Sequence, residues 1–223
     1  GAVAAVVRSL STRKDDFPHT GSTFYSDTRR NIPSVAVSTN DADLLTAAVH
    51  AGQTEVFIKT TCEMLGDVQS YNVIGEIKGS DKADQFIIVG GHMDSWDAGD
   101  GANDDGAGIV HSMEALYRLK KMGYKPRHTM RCVLFMNEEN GLKGGKEYAR
   151  LAAEKNEFHV AAIESDGGAG VAQSFGCSPG VDTTVEKHIA YLKPYITTLL
   201  GPYDIELQSG GGGADIGPLK PNA

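Results

Sequence analysis

From Ser70 to Glu164 the chain alternates short apolar runs with longer stretches in which apolar residues recur every three or four positions. That alternation predicts an α/β fold, a mostly parallel twisted sheet with helices on both faces. Tyr71–Ile77 and the wholly apolar Phe86–Val89 read as its first two strands. A helix follows from about Gly106 to Met122, with Ile109, Val110, Met113, Leu116, Tyr117 and Leu119 at helical spacing and Gly123 and Pro126 ending it. Thr129–Met136 is the third strand, Gly141–Ala153 the next helix and Val160–Glu164 the fourth strand. A last helix is expected from about Thr183 to Leu200, kinked by Pro194, and Gly210–Gly213 reads as a flexible loop.

The first part of the chain has a different rhythm. Residues 2 to 8 and Ser34–Val37 read as short strands separated by a polar loop that holds Asp15, Asp16, Pro18 and Gly21. A helix is expected from Asp41 to Ala51, with Asn40 as N-cap and Gly52 as its stop. Thr54–Thr60 alternates polar and apolar residues as a half-exposed strand does. The change of character near residue 65 divides the chain into a small α/β module, 1–65, and a larger domain, 66–223.

With 223 residues, 40% of them hydrophobic, the chain has the means to bury a sizeable core. The formal charge of −8, with no basic cluster beyond Arg29-Arg30 and Lys120-Lys121, argues against a nucleic-acid partner and for a small or peptide substrate. Cys62, Cys132 and Cys177 are far apart and give neither a disulfide framework nor a CxxC metal site. No apolar run is long enough for a membrane helix, so no membrane partner is expected. The chain opens on Gly1–Val7, which reads as a strand within a domain and carries no signal peptide.

Three successive strands end in residues suited to binding a metal, and in open α/β sheets ligands bind beyond the carboxyl ends of the strands. The second strand runs into His92 and Asp94 and a loop with Asn103, Asp104 and Asp105. The third runs into Asn137, Glu138 and Glu139, and the fourth into Glu164, Ser165 and Asp166. Singly these are ordinary. A His-x-Asp pair is common on surfaces, Asp104-Asp105 suits a helix amino terminus, and a Glu-Glu pair often marks a solvated turn. Together, so many acidic groups around one imidazole at one sheet edge would repel each other unless cations neutralised them.

The order His-x-Asp, Gly-Ala-Asn-Asp-Asp-Gly-Ala-Gly, Asn-Glu-Glu-x-Gly-Leu and Glu-Ser-Asp resembles the M28 peptidases, co-catalytic zinc exopeptidases. Ser70–Ile77 and His92–Asp97 are similar to the carboxypeptidase Q branch. The resemblance implies a zinc-exopeptidase-like (phosphorylase/hydrolase-like) fold, with residues 1–65 as part of a protease-associated-type insert acting as a lid. It implies two zinc ions: His92 and Asp166 on the first, Glu139 on the second, Asp104 bridging both. Glu138 would be the general base taking a proton from the metal-bridging water, and Asp94 would orient His92. Trp96 would line the substrate pocket, and Asp215 would mark a helix start near the site.

The substrate implied is a dipeptide or the terminal residue of an unblocked peptide, and the setting secreted or periplasmic. A homodimer is compatible with the resemblance. The second zinc of the family also takes a later histidine, and the one candidate after Asp166, His188, sits in a helical run and reads as a helix-surface residue. The chain is therefore expected to stop short of that ligand, leaving the second site incomplete. A single-zinc acyltransferase of the glutaminyl-cyclase kind and a non-catalytic binding relative are the alternatives.

Overall fold

The computed structural model describes residues 1–19, 21–97, 99–179, 184–211 and 213–222, with the side chains of 221 and 222 left out. The expected helix start at Thr183 and Gly212 of the glycine loop lie outside the described residues. The chain divides into two compact units, Gly1–Val68 with Trp96–Ala98, and Gln69–Ser95 with Gly99–Ala223.

In the first unit, β1 (Ala5–Arg8) pairs in parallel with β2 (Ser34–Val37), and α1 (Thr39–Ala51) follows. Ser38, not Asn40, caps α1. Its hydroxyl accepts the Asp41 N–H at 3.0 Å, satisfying one orphan donor of the first turn, and donates to the Asp41 carboxylate at 2.8 Å. Asn40 instead lies inside the helix and donates to Asp16. Thr54–Thr60 forms no strand, and Phe57 is almost wholly exposed. An alternating pattern needs a neighbouring strand to become a ladder, and among the described residues it has none.

The second unit is built on a four-stranded sheet of order β3-β5-β4-β6. These strands are β3 (Val73–Ile77), β4 (Lys82–His92), β5 (His128–Phe135) and β6 (Phe158–Glu164). β5, β4 and β6 run parallel and β3 is antiparallel at one edge. β4 extends well beyond its apolar centre, because a register shift between Lys82 and Phe86 lets polar residues into the strand. α2 (Ala107–Lys121) and α3 (Lys143–Glu154) cover opposite faces, and β5 shows why. Its Cys132 and Leu134 pack with Leu116 of α2, while Val133 and Phe135 pack with Tyr148, Ala149 and Ala152 of α3. Strand side chains alternate between faces, so a strand buried on both sides reads as an unbroken apolar run. Each fully buried side chain such as Ile88 or Phe135 contributes roughly 1.5–3 kcal/mol.

Beyond β6 a short parallel pair, β7 (Ser174–Cys177) and β8 (Glu206–Ser209), accompanies α4 (Val185–Leu200). The four-residue pair is too short and polar to signal itself in the sequence. α4 continues as one helix through Pro194. Ile216, and Leu219 of the 3-10 turn that follows it (Gly217–Asn222), pack into the core against α3. Among the described residues no helix is long and apolar enough to cross a membrane.

Candidate metal centre

β4, β5 and β6 lie side by side with β4 in the middle, and their carboxyl ends meet at one place. His92 is the last residue of β4, in register with Phe135 of β5, while Gly90 pairs with Glu164 of β6. The residues that follow each strand therefore gather around one imidazole. His92 is 1% exposed. Its Nε2 lies 3.1 Å from Asp104 Oδ1, 3.6 Å from Asp166 Oδ1 and 4.0 Å from Glu138 Oε2. Two groups offer ligand atoms within 4.8 Å of one another: His92 with Asp104 and Asp166, and His92 with Glu138 and Glu139. Among the described residues no such group joins Asp104 to Glu139, and His188 of α4 belongs to neither.

Asp105 fixes the entry to α2. Its buried carboxylate accepts the His92 N–H through Oδ2 and the Gly108 N–H through Oδ1, both at 3.0 Å, so one side chain ties the end of β4 to the first turn of the helix. A Cβ on Gly91 would come within 2.1 Å of Asp105 Oδ2, which reserves that position for glycine. Burial, the largest cause, pushes the Asp105 carboxyl up to about 6 against the two N–H bonds, which favour its ionised form.

The Glu138-Glu139 turn begins at Asn137, whose φ of 69° swings the chain sharply out of β5. The two glutamate N–H groups then point back at Asp94, whose Oδ1 accepts from Glu138 at 2.9 Å and Oδ2 from Glu139 at 3.1 Å. His92 Nδ1 is held by the Asp94 main-chain carbonyl at 2.9 Å, whereas the nearest Asp94 carboxylate oxygen is 3.7 Å away. The Asp94 carboxylate, expected to orient His92, is hydrogen-bonded by the neighbouring turn and stands at ion-pair distance from the imidazole. Asn72, at the foot of β3, holds the other side of the turn. It accepts the Met136 N–H at 3.0 Å and donates to the Gly144 carbonyl at 2.9 Å, joining the end of β5 to the start of α3.

Burial disfavours protonated His92, but the Asp94 carbonyl and the charges of Asp166, Asp105 and Glu138 outweigh it and raise its pKa. Burial raises Glu138 and Glu139, with Asp166, Asp94 and Asp104 adding to Glu138 and Asp104 and Glu138 to Glu139. One oxygen of Glu139 is buried with no hydrogen-bond partner. Beside the cluster, Glu164 accepts the Ile216 N–H at 3.0 Å, and both Asp215 oxygens are buried without a partner. Asp215, expected only to mark a helix start, lies just ahead of the 3-10 turn. Trp96 groups with the first unit, whereas every residue of the cluster belongs to the second.

Burial, helped by their mutual repulsion in the case of Asp215, pushes Glu164 and Asp215 each up to about 7. The folded chain thus keeps protons that the unfolded chain releases near pH 4. The sign follows from linkage: this contribution is fully present below about pH 4 and is lost as pH rises through about 7. His159, whose pKa burial lowers, acts in the opposite sense. The comparison to make is therefore between wild type and Asp215→Asn in chelator, by urea midpoint from pH 4 to 7.5. Wild type is expected to lose more stability than the variant across that window; equal slopes would remove Asp215 from the balance.

Comparisons with known proteins agree with this architecture. The profile described as peptidase family M28 matches residues 72–215, a span that contains every residue of the cluster. Human carboxypeptidase Q is 33% identical over 218 residues, which cover 97% of this chain and 45% of that protein. A crystal structure of a peptidase M28 precursor from Shewanella amazonensis superimposes with a TM-score of 0.81 at 35% identity, covering all of this chain and 50% of that one. The zinc aminopeptidase from Bacillus subtilis shares the fold, with a TM-score of 0.63 at 20% identity over all of this chain and 52% of that one. The chain spans about half the length of the curated relatives it matches. Its profile runs from the asparagine that braces β5 to the aspartate behind β6, and on that match the chain belongs to peptidase family M28.

Proposed function

We propose that this chain carries the metal-binding half of a zinc exopeptidase that hydrolyses dipeptides or the terminal residues of unblocked peptides. The spacing around His92 Nε2 carries the reading. Donors bound to one tetrahedral zinc at about 2.0–2.1 Å stand about 3.3 Å apart. Asp104 and Asp166 stand 3.1 and 3.6 Å from that nitrogen. Imidazole and carboxylates are zinc's customary donors, and the partnerless buried oxygen of Glu139 supports a second ion beside the first.

Bound zinc would polarise the scissile carbonyl and lower the pKa of water there. The chain's own residues do the rest. A carbonyl only accepts, so the bond to Asp94 O places the His92 proton on Nδ1 and leaves the Nε2 lone pair facing Asp104 and Asp166. Glu138, raised by burial towards the working pH, takes the proton of the attacking water and returns it to the leaving amine.

Nε2 serves one ion only, and the other grouped donors among the described residues are carboxylates, so a second ion held by this chain relies on them. Elemental analysis of zinc-loaded protein after dialysis is expected to show one tightly held ion and a second at least tenfold weaker, with His92→Ala releasing the first. A protein that retains no zinc after loading contradicts the proposal. A single ion at every zinc concentration would favour the one-metal acyltransferase chemistry on the same scaffold.

A further inference from the structure

We infer that the Asp94 carboxylate is a positioning group for the Glu138-Glu139 turn, setting where the base and the second acidic ligand stand, while His92 is oriented by main chain. The inference rests on the proposed metallopeptidase reading for its functional meaning, but its geometry stands apart from it. The two Asp94 oxygens each take one N–H, at 2.9 and 3.1 Å, from consecutive residues. The same carboxylate stands 3.7 Å from the imidazole nitrogen, beyond hydrogen-bond reach, and that nitrogen already has the Asp94 carbonyl at 2.9 Å.

The turn's other bonds are donated by the residues that follow it. Leu142 N–H reaches the Asn137 carbonyl at 2.7 Å, Gly141 N–H reaches the Glu138 carbonyl at 3.3 Å, and the Lys143 N–H reaches the Asn137 side chain at 3.4 Å. Asn137, with its positive φ, lets the chain leave β5 but does not fix the direction of the next two peptides. Among the described residues, it is Asp94 that receives the N–H groups of Glu138 and Glu139. A bidentate carboxylate across two consecutive peptides fixes both planes at once, and with them the directions in which the two glutamate side chains leave the main chain. Asp94 is also only two residues beyond His92 on the β4 exit, so it locks the β5 exit to the strand that carries the histidine.

Asp94→Asn offers one acceptor and one NH2 in place of two acceptors, so one of the two peptides must turn away. Its main-chain carbonyl is unchanged. Hydrogen exchange on the metal-free chain is expected to quicken at least tenfold at the Glu138 and Glu139 amides, with the His92 amide, held by Asp105, unaffected. Zinc titration is expected to keep the affinity of the first ion within about twofold and to weaken the second at least tenfold. If Asp94 acted through the imidazole instead, the first ion would weaken and the two glutamate amides would exchange as in wild type, overturning the inference.

Wild-type protein supplies a check independent of the variant's folding. Couplings across the hydrogen bonds from the Glu138 and Glu139 amides to the Asp94 side-chain carbon are expected in NMR spectra, and their absence would also overturn it. A chain that shows those couplings and the exchange change but binds no zinc would refute the metallopeptidase reading and leave the positioning role intact.

Discussion

Replacing Glu138 by glutamine is expected to leave the tightly bound zinc in place and to slow hydrolysis of unblocked dipeptides by about a thousandfold. Loss of a positioned general base costs roughly 10²–10⁴ in rate, and glutamine keeps the size of the side chain while removing its basicity. The adjacent glutamate is the necessary comparison. Glu138 Oε2 and Glu139 both fall in one ligand group with His92, so geometry alone leaves open which of them binds and which moves a proton. Their surroundings separate them. Glu138 reaches to 4.0 Å from His92 Nε2 and feels Asp166 and Asp94, which places it beside the first ligand set, while Glu139 buries an oxygen with no partner, the state of a ligand. Glu139→Gln should therefore lose the weaker zinc, with kcat falling in proportion and recovering at high zinc. Kinetics and metal content measured on the same samples decide the matter. A Glu138→Gln protein that turns over normally, or that loses zinc to the same degree as Glu139→Gln, would exchange or abolish the assigned roles.

The groups at the strand tips were legible because their signal is local. Apolar runs fix where each strand stops, and the sequence states directly which polar residues follow. The motif resemblance then singles out His92, Asp104, Glu138, Glu139 and Asp166, and the structure brings the four carboxylates around the His92 imidazole. The parts that escaped are those whose meaning depends on distant partners. Asn72 looks like any residue at a strand entrance until β5 and α3 arrive on either side of it. Asp215 is separated from Glu164 by the β7–α4–β8 excursion, so nothing local announces that both carboxyls are buried. Asp105 was half legible. An aspartate three residues ahead of a helical N–H is a capping signal, and Gly108 supplies that N–H, but the second bond to His92 spans a loop. Thr54–Thr60 failed in the other direction, since alternation records only a capacity to be a strand.

Gly108→Ala tests the packing that makes the centre possible, and a large loss of stability is expected. In isolation the change favours folding. Alanine is the better helix former by about 1 kcal/mol, and it restricts the unfolded chain. Here the added methyl would stand 1.7 Å from the Ser165 carbonyl oxygen and 2.1 Å from Asp105 Oδ1, and the nearer obstacle is backbone. The first turn of α2 is pressed against the exit of β6 with no space for a side chain. Relief requires α2 to move away from the sheet or Ser165 to move outward. The first route breaks the Asp105 bridge to His92, and the second displaces the neighbouring Asp166. Overpacking of this kind costs about 3 kcal/mol or more, which for a unit of this size lowers Tm by roughly 6–12 °C. Zinc binding should weaken in the same variant, because both routes disturb the proposed ligands. Gly75→Ala in β3 is the control, since nothing lies within 4 Å of the added methyl, and its Tm should not fall. Thermal melts of the two variants with and without zinc measure both effects. Gly108→Ala melting within a degree of wild type would mean that α2 does not sit against Ser165, and the alignment of Asp104 with Asp166 would lose its structural basis.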